Sequence, residues 1–170
     1  AIDRVLRAGE ISGEDQILEV GTGTGILTQH LAERCSRIVT VEIDSKLQEI
    51  ARNTLAGQEN IIWVSGDILK TTPSIIQKHF DVSRPIKVIS NPPYNISTPL
   101  IEYFIGWTPS PIRIVFTLQK EVVDRMKAKA GTKDYGSLSL FTQFHFDVKT
   151  AGRIPPSAFF PQPEVDSSIV

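Results

Sequence analysis

The chain is poor in the residues that usually announce metal or redox chemistry: one cysteine and three histidines in 170 residues. The single cysteine, Cys35, excludes an internal disulfide and fits a reducing compartment. It follows Leu31 and Ala32 on a helical pattern and reads as a packing residue. His30, His79 and His145 are scattered without ligand spacing, so no metal site is expected. No apolar run is long enough to span a membrane, and no signal peptide is read. A cytoplasmic protein without a membrane partner is therefore expected. Net charge is scarce too. The formal value of −1 argues against coating nucleic acid by bulk charge and leaves room for a local basic face. No repeat, low-complexity tract or internal domain boundary is seen. Residues 1–170 therefore read as one domain with enough chain for a substantial core. The chain opens inside an amphipathic pattern (Ile2, Val5, Leu6) and closes inside an apolar run at Val170. Both ends are expected to be cut from a longer protein.

What is present is alternation. Strands are expected at 16–20, 37–43, 60–64, 86–90 and 112–118, with closing strands at 148–154 and 165–170. Helices are expected at 2–8, 26–34, from a Ser45 cap toward Leu55, from Pro73 toward Phe80, from Pro99, and at 120–128 and 137–146. Strand–helix alternation of this kind implies right-handed crossovers and a mainly parallel sheet.

The organising stretch is Asn91-Pro92-Pro93-Tyr94, which follows the apolar run from Ile86 to Ile89. It precedes Ser97-Thr98-Pro99, which reads as a hydroxyl N-cap with proline in the first helical position. The tetrapeptide thus falls at the carboxyl end of a strand, where open α/β sheets bind ligands. Each proline restricts the residue before it to extended conformations and removes an N–H. The Asn91 side-chain oxygen and the Pro92 carbonyl are therefore acceptors beside the flat ring of Tyr94. That set suits a planar group bearing an amine, such as a nucleobase. A proline-rich turn with a core tyrosine is the plainer alternative.

A second constellation runs from Glu19 through Gly21-Thr22-Gly23-Thr24-Gly25, from the first strand into the first following helix. Glycines allow a tight turn and close ligand approach, and the helix start beyond favours an anionic group. Glu42 ends the second strand, where Rossmann-like sites hold ribose hydroxyls, and Asp67 follows the third, where a carboxylate can accept from an adenine amine. Alone, the loop is a weak signal. Three successive strand ends with such residues point to a nucleotide-like cofactor. The Gly-x-Gly-x-Gly spacing differs from the dinucleotide Gly-x-Gly-x-x-Gly, which makes NAD the second choice. A third feature is basic: Lys120, Arg125, Lys127, Lys129 and Lys133 cluster after the fifth strand. Such a run is most often a solvated helix face; its place near the proposed pocket makes RNA contact the alternative.

Residues 19–25 resemble the S-adenosylmethionine loop of class I methyltransferases, and Asn-Pro-Pro-Tyr resembles the catalytic motif of their amino-methylating members. The continuation Tyr94 to Leu100 is more specific. So are residues 118–123, 135–139, and Pro155-Pro156-Ser157-Ala158-Phe159 leading to Pro161, Pro163, Val165 and Ser167. Together they resemble the ribosomal RNA adenine dimethyltransferases, above all the bacterial type that modifies small-subunit RNA.

The resemblance implies a Rossmann-like α/β fold: a mostly parallel seven-stranded sheet, helices on both faces and an antiparallel last strand. It implies transfer of methyl groups from S-adenosylmethionine to N6 of adenines in the ribosomal RNA of the immature small subunit, by a monomer. By position, Glu19, Gly21, Gly23 and Gly25 match the cofactor loop. Glu42 matches the ribose ligand, Ile43 its apolar neighbour, and Asp67 and Ile68 the adenine-edge contacts. Asn91, Pro92 and Tyr94 match the catalytic group, with Asn91 also on the cofactor. Phe159 matches the aromatic closing the target-base pocket, and Lys120, Arg125, Lys127 and Lys129 are assigned to RNA. A large-subunit methyltransferase of the macrolide-resistance kind and a non-catalytic assembly factor on this fold are the alternatives. The chain lacks the family's leading basic segment with its Gln-Asn-Phe-Leu-type motif, and its closing helical domain. Many dimethyltransferases also have leucine or isoleucine before their proline.

Overall fold

A computed structural model describes residues 1–159 and 162–170. Pro161, one of the motif prolines, lies outside the described residues. Five strands form the parallel part of the sheet: β1 (Gln16–Val20), β2 (Arg37–Glu42), β3 (Ile61–Ser65), β4 (Ile86–Ser90) and β5 (Arg113–Gln119). Two short strands, β6 (Gly152–Ile154) and β7 (Ser167–Ile169), complete it. β7 runs antiparallel between β5 and β6. Among the described residues the order is β3-β2-β1-β4-β5-β7-β6.

The central strands are buried along their whole length, which their β-branched, apolar sequences allow and the helices on both faces require. Alternate residues feed two cores. Leu18, Val39 and Val88 meet Phe104 and Trp107 on one face, whereas Ile17, Ile38 and Ile89 meet Leu31 and Val5 on the other. The first of these faces is filled by α5 (Ser97–Ile105), the second by α1 (Ile2–Gly9) and α2 (Ile26–Ala32). Cys35 packs in the second core, as its spacing predicts.

Two expected caps are corrected. Asp44, not Ser45, caps α3 (Ser45–Thr54): its carboxylate accepts from the Lys46 and Leu47 amides at 2.8 and 3.3 Å, and Ser45 becomes the first helical residue. A charged acceptor facing free amides outcompetes the adjacent hydroxyl. Likewise, Ser97 does not cap α5. Residues Tyr94–Ile96 form a 3₁₀ turn, closed by the Ile96 amide on the Pro93 carbonyl, that leads directly into the helix. Pro99 is thereby moved to the third helical position, where its missing N–H is still harmless. The closing strands are shorter than the apolar runs that carry them, because only three residues of each meet a partner strand.

The chain leaves β1 toward β2 on one side, while β4 leads to β5 on the other. A crevice therefore opens between the carboxyl ends of β1 and β4, the switch point of an open α/β sheet. The two ends are tied together by the Ser90 hydroxyl, which donates to the Val20 carbonyl.

At the opposite end of β4, the nearly buried Lys87 ammonium donates to the Asp15 carboxylate at 2.7 Å and to the Glu10 carbonyl at 2.6 Å. Removing the lysine leaves a carboxylate without its counter-charge. Lys87→Ala is expected to lower folding stability by roughly 3 kcal/mol, measured by urea unfolding.

Candidate active site

The glycine turn leaves β1 with its backbone in left-handed conformations. Gly21 has φ +81° and Gly23 φ +55°. At Gly21 a Cβ would stand 3.2 Å from Pro93 Cδ, so the absence of a side chain lets the turn lie against the proline segment. At Gly23 a Cβ would meet nothing within 4 Å, which leaves the backbone open toward the cavity. Gly25 differs. Its missing side chain makes room for Ala51 and Leu55 on the α3 side, 3.1 and 3.2 Å from a Cβ placed there. It serves the approach of two helices and does not line the cavity.

That cavity, of about 280 Å³, is lined by Gly21, Gly23, Glu42, Leu47, Asn91, Pro92, Pro93, Tyr94, Phe159 and Pro163. The fold thus brings together residues from four separate stretches of sequence. Leu47 had no distinguishing mark in the sequence and is placed there by the fold; Pro163, one of the motif prolines, joins it.

Glu42 shapes the glycine turn as well as lining the cavity. Its two oxygens accept from the amides of Gly23 (2.8 Å) and Asp44 (3.0 Å). A carboxylate oxygen has two acceptor sites, so each retains capacity for a further donor. Ile43, next along, is 68% exposed, unusual for an isoleucine at the end of a buried strand. The Gly66 amide donates to the Glu42 carbonyl at 2.9 Å, which sets Asp67 on the neighbouring strand end. One Asp67 oxygen caps the turn that follows, accepting from the Leu69 amide at 3.0 Å. The other lies 3.7 Å from the Lys70 ammonium. The Ile68 side chain is buried in the core, so only its backbone can face a ligand. Ile43, Asp67 and Ile68 do not line the cavity itself.

Across the cavity, Asn91 is exposed, Pro92 is buried and Tyr94 is half-buried. Phe159 is half-buried and packs against the second core. Among the described residues no cluster of three or more His, Cys, Asp or Glu could hold a metal ion, and no helix is long and apolar enough to cross a membrane.

The family model for ribosomal RNA adenine dimethylases matches residues 1–170. The chain belongs to this family. It is 39% identical to the ribosomal RNA small subunit methyltransferase A of Latilactobacillus sakei, over 99% of this chain and 57% of that protein. The protein of the same name in Ligilactobacillus salivarius is 38% identical, over 99% and 57%. The chain therefore spans a little over half the length of these curated relatives. Among solved structures it resembles a dimethyladenosine transferase from Plasmodium falciparum, with TM-score 0.84 and 31% identity over 99% of this chain and 58% of that one. The 23S rRNA methyltransferase ErmE gives TM-score 0.77 and 26% identity, over 99% and 64%.

Family membership leaves open what individual residues do here, and the geometry separates them. Lys120 stands at the cavity end of α6 (Lys120–Met126), its amide donating to the Asp166 carbonyl and its ammonium paired with Asp124. Arg125 is exposed on the next turn. Lys127 and Lys129 lie at the far end of the helix, with Phe144 and Phe146 around a separate concavity, and the Lys127 ammonium donates to the Thr150 hydroxyl at 2.8 Å. The basic run is thus divided between two places.

Glu19 also lies outside the cavity, fully buried behind the glycine turn. One of its oxygens accepts from the Thr28 and Thr40 hydroxyls at 2.6 and 2.7 Å. Thr40 gives its only proton to Glu19, so Thr22 must donate across the 2.6 Å contact between the two threonine hydroxyls. The buried carboxyl thereby holds the turn from behind. Its second oxygen is buried with no hydrogen-bond partner. A lone hydroxyl in the apolar run Ile38-Val39-Thr40-Val41 is the sequence signal that marks this network.

Burial pushes the Glu19 carboxyl from an ordinary 4.5 up to about 8, against the lowering effect of the two threonine hydrogen bonds. The folded protein keeps a proton that the unfolded chain releases. This contribution is fully present below pH 4.5 and is lost as pH rises toward 8. Glu19→Gln keeps an acceptor for both threonines and cannot ionise. Its unfolding midpoint is expected to fall less than the parent's between pH 5 and pH 8, in thermal melts at matched ionic strength.

Proposed function

We propose that this chain is the catalytic domain of an enzyme that transfers methyl groups from S-adenosylmethionine to the exocyclic N6 of adenines in small-subunit ribosomal RNA. The product is N6,N6-dimethyladenosine, made during ribosome biogenesis. The observation that carries this reading is the single cavity in which the glycine turn and Glu42 meet Asn91, Pro92, Tyr94 and Phe159. The higher identity to small-subunit enzymes, 39% against 26% for the large-subunit enzyme, favours small-subunit RNA. The partner is then the RNA of the immature small subunit, and the enzyme acts as a cytoplasmic monomer.

The residues present fit the cofactor. Gly23 leaves open space over its backbone, Glu42 retains acceptor capacity for ribose hydroxyls, and Ile43 offers an exposed apolar surface for an adenine face. Asp67 would accept from the adenine amine beside the Ile68 backbone. When bound, S-adenosylmethionine supplies an electrophilic methyl group on a sulfonium centre.

The remaining work belongs to the protein. An adenine amine is a poor nucleophile because its lone pair is delocalised into the ring. The Asn91 side-chain oxygen and the Pro92 carbonyl accept its two hydrogens and favour a pyramidal nitrogen with its lone pair free. These contacts strengthen as positive charge develops on nitrogen, so they act most in the transition state. Tyr94 and Phe159 take the base between them by stacking, which requires the base to leave any duplex. After one transfer the methylated nitrogen sheds a proton to solvent and keeps one hydrogen, which one of the two acceptors holds for a second methylation.

Asn91→Ala removes one acceptor and keeps the strand and turn. The rate of transfer is expected to fall by about a hundredfold or more, with cofactor affinity little changed. Single-turnover methylation of immature small subunits by the full-length protein measures it. Transfer at the parental rate would favour the assembly-factor alternative.

Asp67→Ala tests the cofactor side. It is expected to weaken S-adenosylmethionine binding by roughly 1–3 kcal/mol, read by calorimetry. Unchanged affinity would remove Asp67 from the site.

A further inference from the structure

We propose that Ser167 is a positioning residue: its hydroxyl holds the Tyr94 ring as one wall of the base pocket, opposite Phe159. The proposal rests on the methyl-transfer reading above and adds a residue to it. The Tyr94 and Ser167 hydroxyls are 2.6 Å apart. Ser167 is fully buried, whereas Tyr94 is half-buried with part of its ring on the cavity.

The bond joins two parts of the chain that lie far apart in sequence. Tyr94 hangs from the turn between β4 and α5. Ser167 begins β7, where it pairs with Gln119 of β5 on one side and Ile154 of β6 on the other. Five residues after Ile154 comes Phe159. The strand that anchors the Tyr94 hydroxyl is thus the strand that registers the segment carrying the opposite wall.

The chemistry of a phenol sharpens the point. A tyrosine has two side-chain torsions, and a hydrogen bond at its tip pins the far end of the ring and limits its swing about the first of them. The Tyr94 hydroxyl is engaged with the buried Ser167 hydroxyl, whichever of the two donates. Tyr94 then contributes its ring face to the target base and no proton to the reaction. A ring free to tilt would still bind the base, at a higher cost in ordering and with the amine less well aimed at Asn91 and Pro92.

The test uses the full-length protein, labelled S-adenosylmethionine and immature small ribosomal subunits, under single turnover. Ser167→Ala and Tyr94→Phe are each expected to lower transfer efficiency by about threefold to tenfold, the equivalent of one lost hydrogen bond. Most of the loss should appear as a higher half-saturating RNA concentration. The double variant should be no worse than the poorer single one, since both remove the same bond. The pH profile of Tyr94→Phe should match the parent, and cofactor affinity by calorimetry should be unchanged in both.

Additive losses, a parental rate in Ser167→Ala, or a changed pH profile in Tyr94→Phe would each overturn the proposal. If Ser167→Ala fails to fold, Tyr94→Phe decides alone: parental kinetics would sink it. Asn91→Ala run alongside separates the two levels. Loss there with a parental Ser167→Ala removes only the positioning role. Parental rates in both remove the methyl-transfer reading itself.

Discussion

The approach of Gly21 to Pro93 governs the distance between the two halves of the site. A Cβ at Gly21 would stand 3.2 Å from the proline ring, on a backbone already at φ +81°. Any side chain there would strain the turn and press the two strand ends apart. The crevice between β1 and β4 would widen, and with it the separation of Glu42 from Asn91 and Pro92. The Ser90 hydroxyl on the Val20 carbonyl closes the same junction one residue earlier. Site geometry is therefore set by backbone contact at the switch point, where packed strands leave little freedom.

Behind that junction lies an electrostatic compromise. Glu19 lies one residue before the end of β1 and Glu42 ends the adjacent β2, and Glu42 adds to the rise in the Glu19 pKa. Their environments divide the roles. Glu42 is met by two backbone amides, which suit a carboxylate. Glu19 is met by hydroxyls and apolar side chains, which tolerate a neutral acid. The second Glu19 oxygen has no partner, and an unsatisfied buried atom weakens the fold. The same carboxyl rigidifies the turn through Thr40 and Thr22, so local stability is given up where the turn must be held in one shape.

The antiparallel strand β7 integrates the remaining wall. Parallel strands β1, β2 and β4 present their carboxyl ends to the cavity through loops that each reach out singly. β7 runs the other way, so it starts at the cavity end, with Ser167 beneath Tyr94 and beside the strand leading to Phe159. One reversed strand thus couples a loop from the middle of the sheet to a loop at its edge. The basic helix α6 also starts at this end, with the Lys120 amide on the Asp166 carbonyl, and carries Lys127 and Lys129 to a separate concavity.

The sequence by itself determined the alternation of strands and helices, because period-two and helical spacings are local properties of the chain. β1 and β4 match their expected bounds, and glycine and proline marked the turns that carry the site. Family motifs extended this to the roles expected of Glu42, Asn91, Tyr94 and Phe159. Caps were less legible: Asp44 and Ser45 are both good N-cap residues, and only the path of the backbone chose between them. The tertiary structure alone decided which marked residues face the cavity. Gly25 looks like its neighbours in sequence and packs against Ala51 and Leu55. Glu19 belongs to the loop motif and points behind it. Ser167 belongs to a family motif, but its partner Tyr94 is known only once β7 reverses beside β5. Such facts depend on direction across the sheet and on contacts between residues far apart in sequence, as with the 73 positions between Tyr94 and Ser167. Local pattern has no access to them, because a hydrogen bond between distant residues exists only once the sheet has closed around it.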